Sequence, residues 1–358
     1  RIFGDGPMTS MFRREVFETV GDFDIRFSPS QYDDVDHGLR LIQAGMHSCY
    51  TGHARIEHLR VSGAAAETGR ASRYNVLGNH DINYQAATDK LSDDTYERIY
   101  GPANYAFVYG DVHFIVVDDV IHEDSVGSRN YVGGLRPDQI EFVSNYLNVV
   151  PRDELVVLTM HIPLAQHGES FRKSDQKKLF DLLKEFPNTL SISAHTHTQN
   201  NTFFHKGSSD WQREQPHHHF NVGTTSGSWW NGIRGETDVP HTMMRDGTPN
   251  GYSFIQFNGT EYIIDWKVAG SPEDHQMNIH VPRGIVAGSA DTTRLTVNFF
   301  NGSEQSELRF RVKGLTEWKS MDKVDKYDPY YLKIAKRQAA LRKFNLRELC
   351  EDDADFND

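Results

Sequence analysis

VVLTMHIPL, residues 156–164, and LSISAHTHT, residues 190–198, decide how this chain is read. The first opens on an apolar run and then meets His161. The second is a short run that ends on His195-Thr196-His197. Both have the length and residue types of a β-strand. Between them SDQKKLFDLLKEF, residues 174–186, has helical spacing, with Ser174 as the expected N-cap. Strand, helix and strand in that order predict a layered α/β fold. In such sheets ligands bind beyond the carboxyl ends of the strands. One histidine at a strand end is an ordinary surface or core residue. Two strand ends carrying His161, His195 and His197 suggest a shared task.

The flanking sequence extends the same pattern. NYAFVYGDVHFIVVDDV, residues 104–120, reads as two strands about a Gly110-Asp111 turn. RPDQIEFVSNYLNVV, residues 136–150, places Ile140, Val143 and Leu147 on one helical face. Upstream lies VLGNHD, residues 76–81, an apolar entry followed by Gly78, Asn79, His80 and Asp81. Amide oxygen and imidazole nitrogen both suit divalent zinc, manganese or iron. A glycine before them lets the backbone turn sharply and approach a ligand. Alone, GNHD is ordinary turn punctuation, and His-x-His is weak in a chain with 18 histidines.

Downstream, HHHFNVGTTSGSWWNG, residues 217–232, begins on three histidines. Alternate residues of a strand face opposite ways, so at most His217 and His219 can converge. The run is expected to pack beneath the metal loops, with Trp229 and Trp230 at a pocket edge. From 236 to 358 the chain turns strand-rich and predicts a small antiparallel sandwich. Asn258-Gly259 and Asn301-Gly302 each sit between β-type runs, a strong hairpin signal. A helix is expected over residues 331–349.

Composition bounds the function. The chain has 358 residues, 37% hydrophobic and 25% charged, as in an ordinary globular protein of two or three domains. A net charge of −12 gives no basic footprint for nucleic acid. No apolar run reaches the ~20 residues of a membrane span. Cys49 and Cys350 are too few and too far apart for a disulfide framework or a cysteine zinc site. The chain begins on Arg1 within structured-looking sequence and shows no targeting signal, so it reads as a fragment. The terminal EDDADFND reads as a solvated acidic tail.

An apolar strand then GNHD, a strand then His-x-Pro, and a strand then His-x-His occur in the order that resembles the second half of the calcineurin-like metallophosphoesterases. The resemblance covers 73–235. It implies a β-sandwich flanked by helices, with two metal ions at the strand ends. Carried onto this chain, it gives Asn79, His161 and His195 to one metal and His197 to the other. His80 takes the role beside the leaving group, with Asp81 orienting it. One departure is Ala194, where the family usually has glycine. The larger departure is upstream, because no Asp-x-His or Gly-Asp strand-end motif occurs before Tyr74. The resemblance therefore implies one metal or fewer well bound here, a weak or inactive phosphoesterase, and a phosphate ester as the small-molecule substrate.

Residues 1–70 resemble something else. GPMTSMFRREVFETVGDFD and the acidic run at Asp33, Asp34 and Asp36 look like the carboxyl-terminal part of a family 2 glycosyltransferase domain. In that likeness Asp34 is the catalytic base and His58 lies near the metal and diphosphate. The same acids also make a good helix start. Residues 236–358 resemble the carboxyl-terminal domain of bacterial, Bacteroides-type phosphoesterases, whose members are exported, which implies an extracytoplasmic place in the periplasm or at the cell surface. Three readings follow: a phosphoesterase or its remnant, a glycosyltransferase remnant, or a non-catalytic chain whose β-rich domain binds a partner.

Overall fold

A computed structural model of the chain describes residues 44, 73–123, 126–127, 129–164, 171–207, 209–227, 243–282, 284 and 293–352. The chain divides into two compact units, 1–74 and 75–358. The glycosyltransferase-like motifs, with Asp34 and His58, lie outside the described residues, as do Trp229 and Trp230.

The second unit is a mixed α/β fold. Its centre is a six-stranded sheet in the order β1 (Tyr105–Tyr109), β2 (Val112–Val116), β5 (Leu155–Thr159), β6 (Thr189–Ser193), β8 (His217–Asn221) and β7 (Asn200–Phe204). The four inner strands run parallel, and β1 and β7 are antiparallel edges. Strands β3 (Val120–His122) and β4 (Tyr131–Gly133) form a separate ladder. Hairpin β1–β2 turns at Gly110, whose φ of 61° suits a residue without a Cβ. Strand β5 is buried along nearly its whole length, as a parallel strand covered on both faces should be.

On one face lie helices α2 (Pro137–Leu147) and α3 (Lys173–Leu183), which follow the short helix α1 (Asp94–Tyr100). Helix α2 starts with proline at its first turn, and the Arg136 amide donates to Gln139 Oε1 at 2.7 Å. Its Val143 and Leu147 are fully buried and Ile140 packs against them, the face that the spacing predicts. They meet Leu179, Phe180 and Leu183 of α3 and Val156 and Leu158 of β5 in one core. The other face is covered by β9 (Gly251–Asn258) and β10 (Glu261–Val268), whose Ile255, Phe257, Tyr262 and Ile264 pack on Leu155, Val157, Leu190 and Phe220. The β-rich region thus uses its first hairpin as the sheet's second layer instead of forming a sandwich of its own.

Three local expectations are corrected. Ser174 does not cap α3. The Arg172 amide is held by the Gly133 carbonyl at 2.7 Å, so the helix starts at Lys173 and Ser174 lies inside it. Asn301-Gly302 does not join a hairpin. Strand β12 (Thr296–Phe299) pairs back to β11 (Met277–His280), and β13 (Arg309–Phe310) pairs with β14 (Lys319–Ser320). The Asn301 side chain is instead spent on docking, donating to the Ile264 carbonyl at 2.6 Å and accepting from Asn201. The apolar entry before GNHD forms no strand, and the Asn75 carbonyl is met by the Tyr105 hydroxyl at 2.8 Å. The last helix, α4, spans Pro329–Asp352, close to its predicted range. Among the described residues, no helix is long and apolar enough to cross a membrane.

Candidate functional site

Parallel pairing puts His161 and His195 side by side. Thr159 of β5 stands opposite Ile192 of β6, so the residues just past both strands meet, and the Ala194 amide donates to the His161 carbonyl at 3.0 Å. The chain then bends sharply. His195 and His197 have φ of 67° and 55°, and among the described residues they are the non-glycine residues with positive φ. The Thr196 amide returns to the Ala194 carbonyl at 2.7 Å, closing a three-residue turn centred on His195. Such backbone costs about 1–3 kcal/mol per residue and persists where surrounding contacts over-determine it, most often at functional sites.

The GNHD loop reaches the same place. Its turn closes through the Asp81 amide to the Gly78 carbonyl at 2.9 Å, and Asp81 Oδ2 accepts from the Gly78 amide at 2.8 Å. The structure thus uses the Asp81 carboxylate to close the loop. A Cβ on Gly78 would stand 3.0 Å from the His161 ring, so glycine lets loop and imidazole approach. The Tyr84 hydroxyl donates to the Asn79 carbonyl at 2.7 Å and fixes the loop from the other side.

Three donor atoms converge. Asn79 Oδ1 lies 2.8 Å from His161 Nε2 and 3.2 Å from His195 Nδ1, and the two nitrogens are 3.0 Å apart. Atoms bound about 2.1 Å from one zinc ion stand roughly 3.0–3.4 Å from each other, so two of the three separations match and the 2.8 Å pair needs only a slight opening for the set to fit one divalent ion. Burial, and after it the nearness of other imidazoles including His80 and His197, lowers the pKa of both His161 and His195. Among the described residues, no group of three or more His, Cys, Asp or Glu could hold a metal ion. The amide oxygen of Asn79 is therefore essential to any such set.

Asp118 and Asp119 were not singled out by sequence reasoning. FIVVDD has the same form as the histidine strands, an apolar strand ending on ligand-type residues, and that signal could have found them. Asp119 is fully buried, and its carboxylate accepts the His161 and Ile162 amides at 2.9 and 2.8 Å. It holds the His161 loop by its backbone. Asp118 accepts the Val120 amide at 3.0 Å and faces Arg136, which also pairs with Asp89 at 2.9 Å.

The histidine run separates by face as alternation predicts. His218 meets Tyr262 and Asn201 on the hairpin side, at 2.8 and 2.9 Å. His217 and His219 point to the helix side, where Ser191 bonds to both, at 2.8 and 2.6 Å. These nitrogens are occupied within the sheet and stand apart from the candidate metal site.

Burial sets the charge of five imidazoles. Loss of solvation pushes His161 and His219 down to about 3 and His218 to about 4, and lowers His195 and His217 as well. Burial moves carboxyls the other way, raising Asp93 to about 6, Asp118 to about 7 and Asp119 well above its ordinary value. The lowered imidazoles contribute stability that is present above 6.5 and lost as pH falls toward 4. The raised carboxyls contribute stability that is present below 3.8 and lost as pH rises through about 6 to 7. Between these limits five imidazoles oppose four carboxyls, since burial raises Asp246 as well, and the imidazoles prevail. The thermal midpoint of the metal-free chain should therefore peak near about pH 6.5, falling toward pH 4 and, more gently, toward pH 8. A midpoint that climbs steadily from pH 7 to 4 would contradict this assignment.

Comparison with curated proteins gives no match. Among solved structures the chain is similar to one described as "Structure of PhoD", at 13% identity and a TM-score of 0.34. That similarity covers 63% of this chain and 44% of the other, so the chain spans less than half of that protein's length. Residues 219–351, from within β8 into α4, match the family model described as "C terminal of Calcineurin-like phosphoesterase".

Proposed function

We propose that this chain carries one metal-ligand set of a phosphoesterase, with Asn79, His161 and His195 as the protein ligands. The observation that carries the reading is the convergence of three donor atoms from the GNHD loop and two adjacent strand ends. The family match over 219–351 supports it independently, because that stretch lies outside all three motifs. Residues 73–235 would hold the chemistry and 236–358 would cover the sheet.

A bound divalent ion supplies Lewis acidity to a phosphoryl oxygen and lowers the pKa of an attacking water. The chain's own residues do the rest. His161 and His195 stay neutral near pH 7, so their lone pairs are available for ligation. Asp119 holds the His161 backbone, and Gly78 lets Asn79 close on the ring. His80 is exposed on the same loop, where an imidazole can hold a proton for a leaving oxygen. His197 would contribute to a second ion, for which the described residues offer no further set. Zinc, manganese and iron all suit the donors.

The test is hydrolysis of p-nitrophenyl phosphate and bis(p-nitrophenyl) phosphate with and without added zinc or manganese. We expect slow, metal-dependent turnover, on the order of a thousandfold or more below that of a two-metal site. His80→Ala should lower it by about a hundredfold with metal affinity unchanged. Metal-independent turnover, or brisk turnover with two tightly bound ions, would overturn the reading.

A further inference from the structure

A line of polar side chains runs between β6 and β8, one contact after another. The Thr189 hydroxyl lies 2.8 Å from His217 Nδ1, and His217 Nε2 lies 2.8 Å from Ser191 Oγ. Ser191 Oγ is 2.6 Å from His219 Nδ1, and His219 Nε2 is 2.9 Å from Ser193 Oγ. Ser193 then meets Asn221 Oδ1 at 3.0 Å. The Asn221 amide nitrogen reaches the histidine turn itself, at Thr196 Oγ1 and the Thr198 carbonyl, both at 2.7 Å. His217, His219, Ser191 and Ser193 are at most 1% exposed.

The direction of this line follows from its last contact. The Thr198 carbonyl can only accept, so the nitrogen of Asn221 faces it and the oxygen faces Ser193. Ser193 must then donate to Asn221 and accept from His219 Nε2–H. His219 is neutral, so its bare Nδ1 accepts from Ser191. Ser191 in turn accepts from His217 Nε2–H, and His217 Nδ1 accepts from Thr189. Every hydroxyl donates toward one side, and both imidazoles carry their proton on Nε2. The far end of this one-way line grips the turn whose two histidines have positive φ.

We propose that the buried line Thr189–His217–Ser191–His219–Ser193–Asn221 is a positioning device that holds the His195-Thr196-His197 turn in its strained form and so presents His195 to a metal. This rests on the metal-site reading given above. Asn221 is the residue that touches the turn. The others act through it, by fixing which way its amide points. His217 and His219 thereby have a use that ligation would not give them.

The test measures zinc affinity by competition with a chromophoric chelator, in wild type, Asn221→Asp and Ser193→Ala, each checked for folding by circular dichroism. Asn221→Asp keeps an acceptor for Ser193 and loses both donors to the turn. Ser193→Ala cuts the line one step earlier. Both should bind zinc about 10- to 100-fold more weakly, the usual effect of removing an outer partner of a ligand. Imidazole nitrogen resonances should show the proton of His217 and His219 on Nε2 in wild type, and unchanged in Asn221→Asp. Wild-type protein that takes up no zinc overturns the metal-site reading, and this proposal with it. Zinc uptake by wild type with equal affinity in either folded variant overturns the positioning role alone. A proton on Nδ1 of His217 or His219 in wild type overturns it without any variant.

Discussion

His161→Ala is expected to weaken zinc binding by about a hundred- to a thousandfold. Four-ligand zinc sites are worth about 10–16 kcal/mol, or about 2.5–4 kcal/mol per ligand, and each 1.4 kcal/mol is tenfold. The substitution leaves Asn79 and His195 as two donors and opens a space beside Gly78, where the ring now packs. His218→Ala is the matched control. That imidazole is also buried and neutral, but it faces Tyr262 and Asn201 on the opposite side of the sheet. It should cost stability and leave zinc affinity within about twofold. Equal zinc affinity in wild type and His161→Ala would remove His161 from the site.

Asp119→Asn is expected to destabilise the second unit by about 1.5 to 4.5 kcal/mol. The change is nearly isosteric, so no cavity forms and the hydrogen bonds are isolated. Both carboxylate oxygens accept a buried amide, from His161 and from Ile162. An asparagine can accept only one and turns an N–H against the other. A lost hydrogen bond costs about 0.5–1.5 kcal/mol, and a buried unsatisfied donor about 1–3 kcal/mol more. Domains are typically stable by about 5–15 kcal/mol, so the change should be plain in urea unfolding. A midpoint within error of wild type would show that Asp119 does not hold the loop.

Much of this was legible because the parallel strands are buried on both faces and therefore read as continuous apolar runs. VVLTM and TLSIS appear as β5 and β6, and the histidines after them fall together because parallel pairing brings their ends level. Gly110-Asp111 and Asn258-Gly259 turn as their chemistry demands. Asn301-Gly302 misleads because its side chain is recruited to Ile264, a contact that local sequence does not encode. Ser174 misleads for a like reason, since Gly133, far away in sequence, starts the helix early. FIVVDD marks Asp119 as a strand-end residue, but its service to two backbone amides of a neighbouring loop is a tertiary contact that local sequence does not encode. The partners of His217 and His219 likewise depend on strand order, which places β8 beside β6.

The most direct test of the account is a zinc competition titration of wild type beside Asn79→Ala, His161→Ala and His195→Ala. About one ion should bind per wild-type chain, and each variant should lose about a hundredfold or more in affinity. Wild-type binding that survives all three substitutions would contradict it.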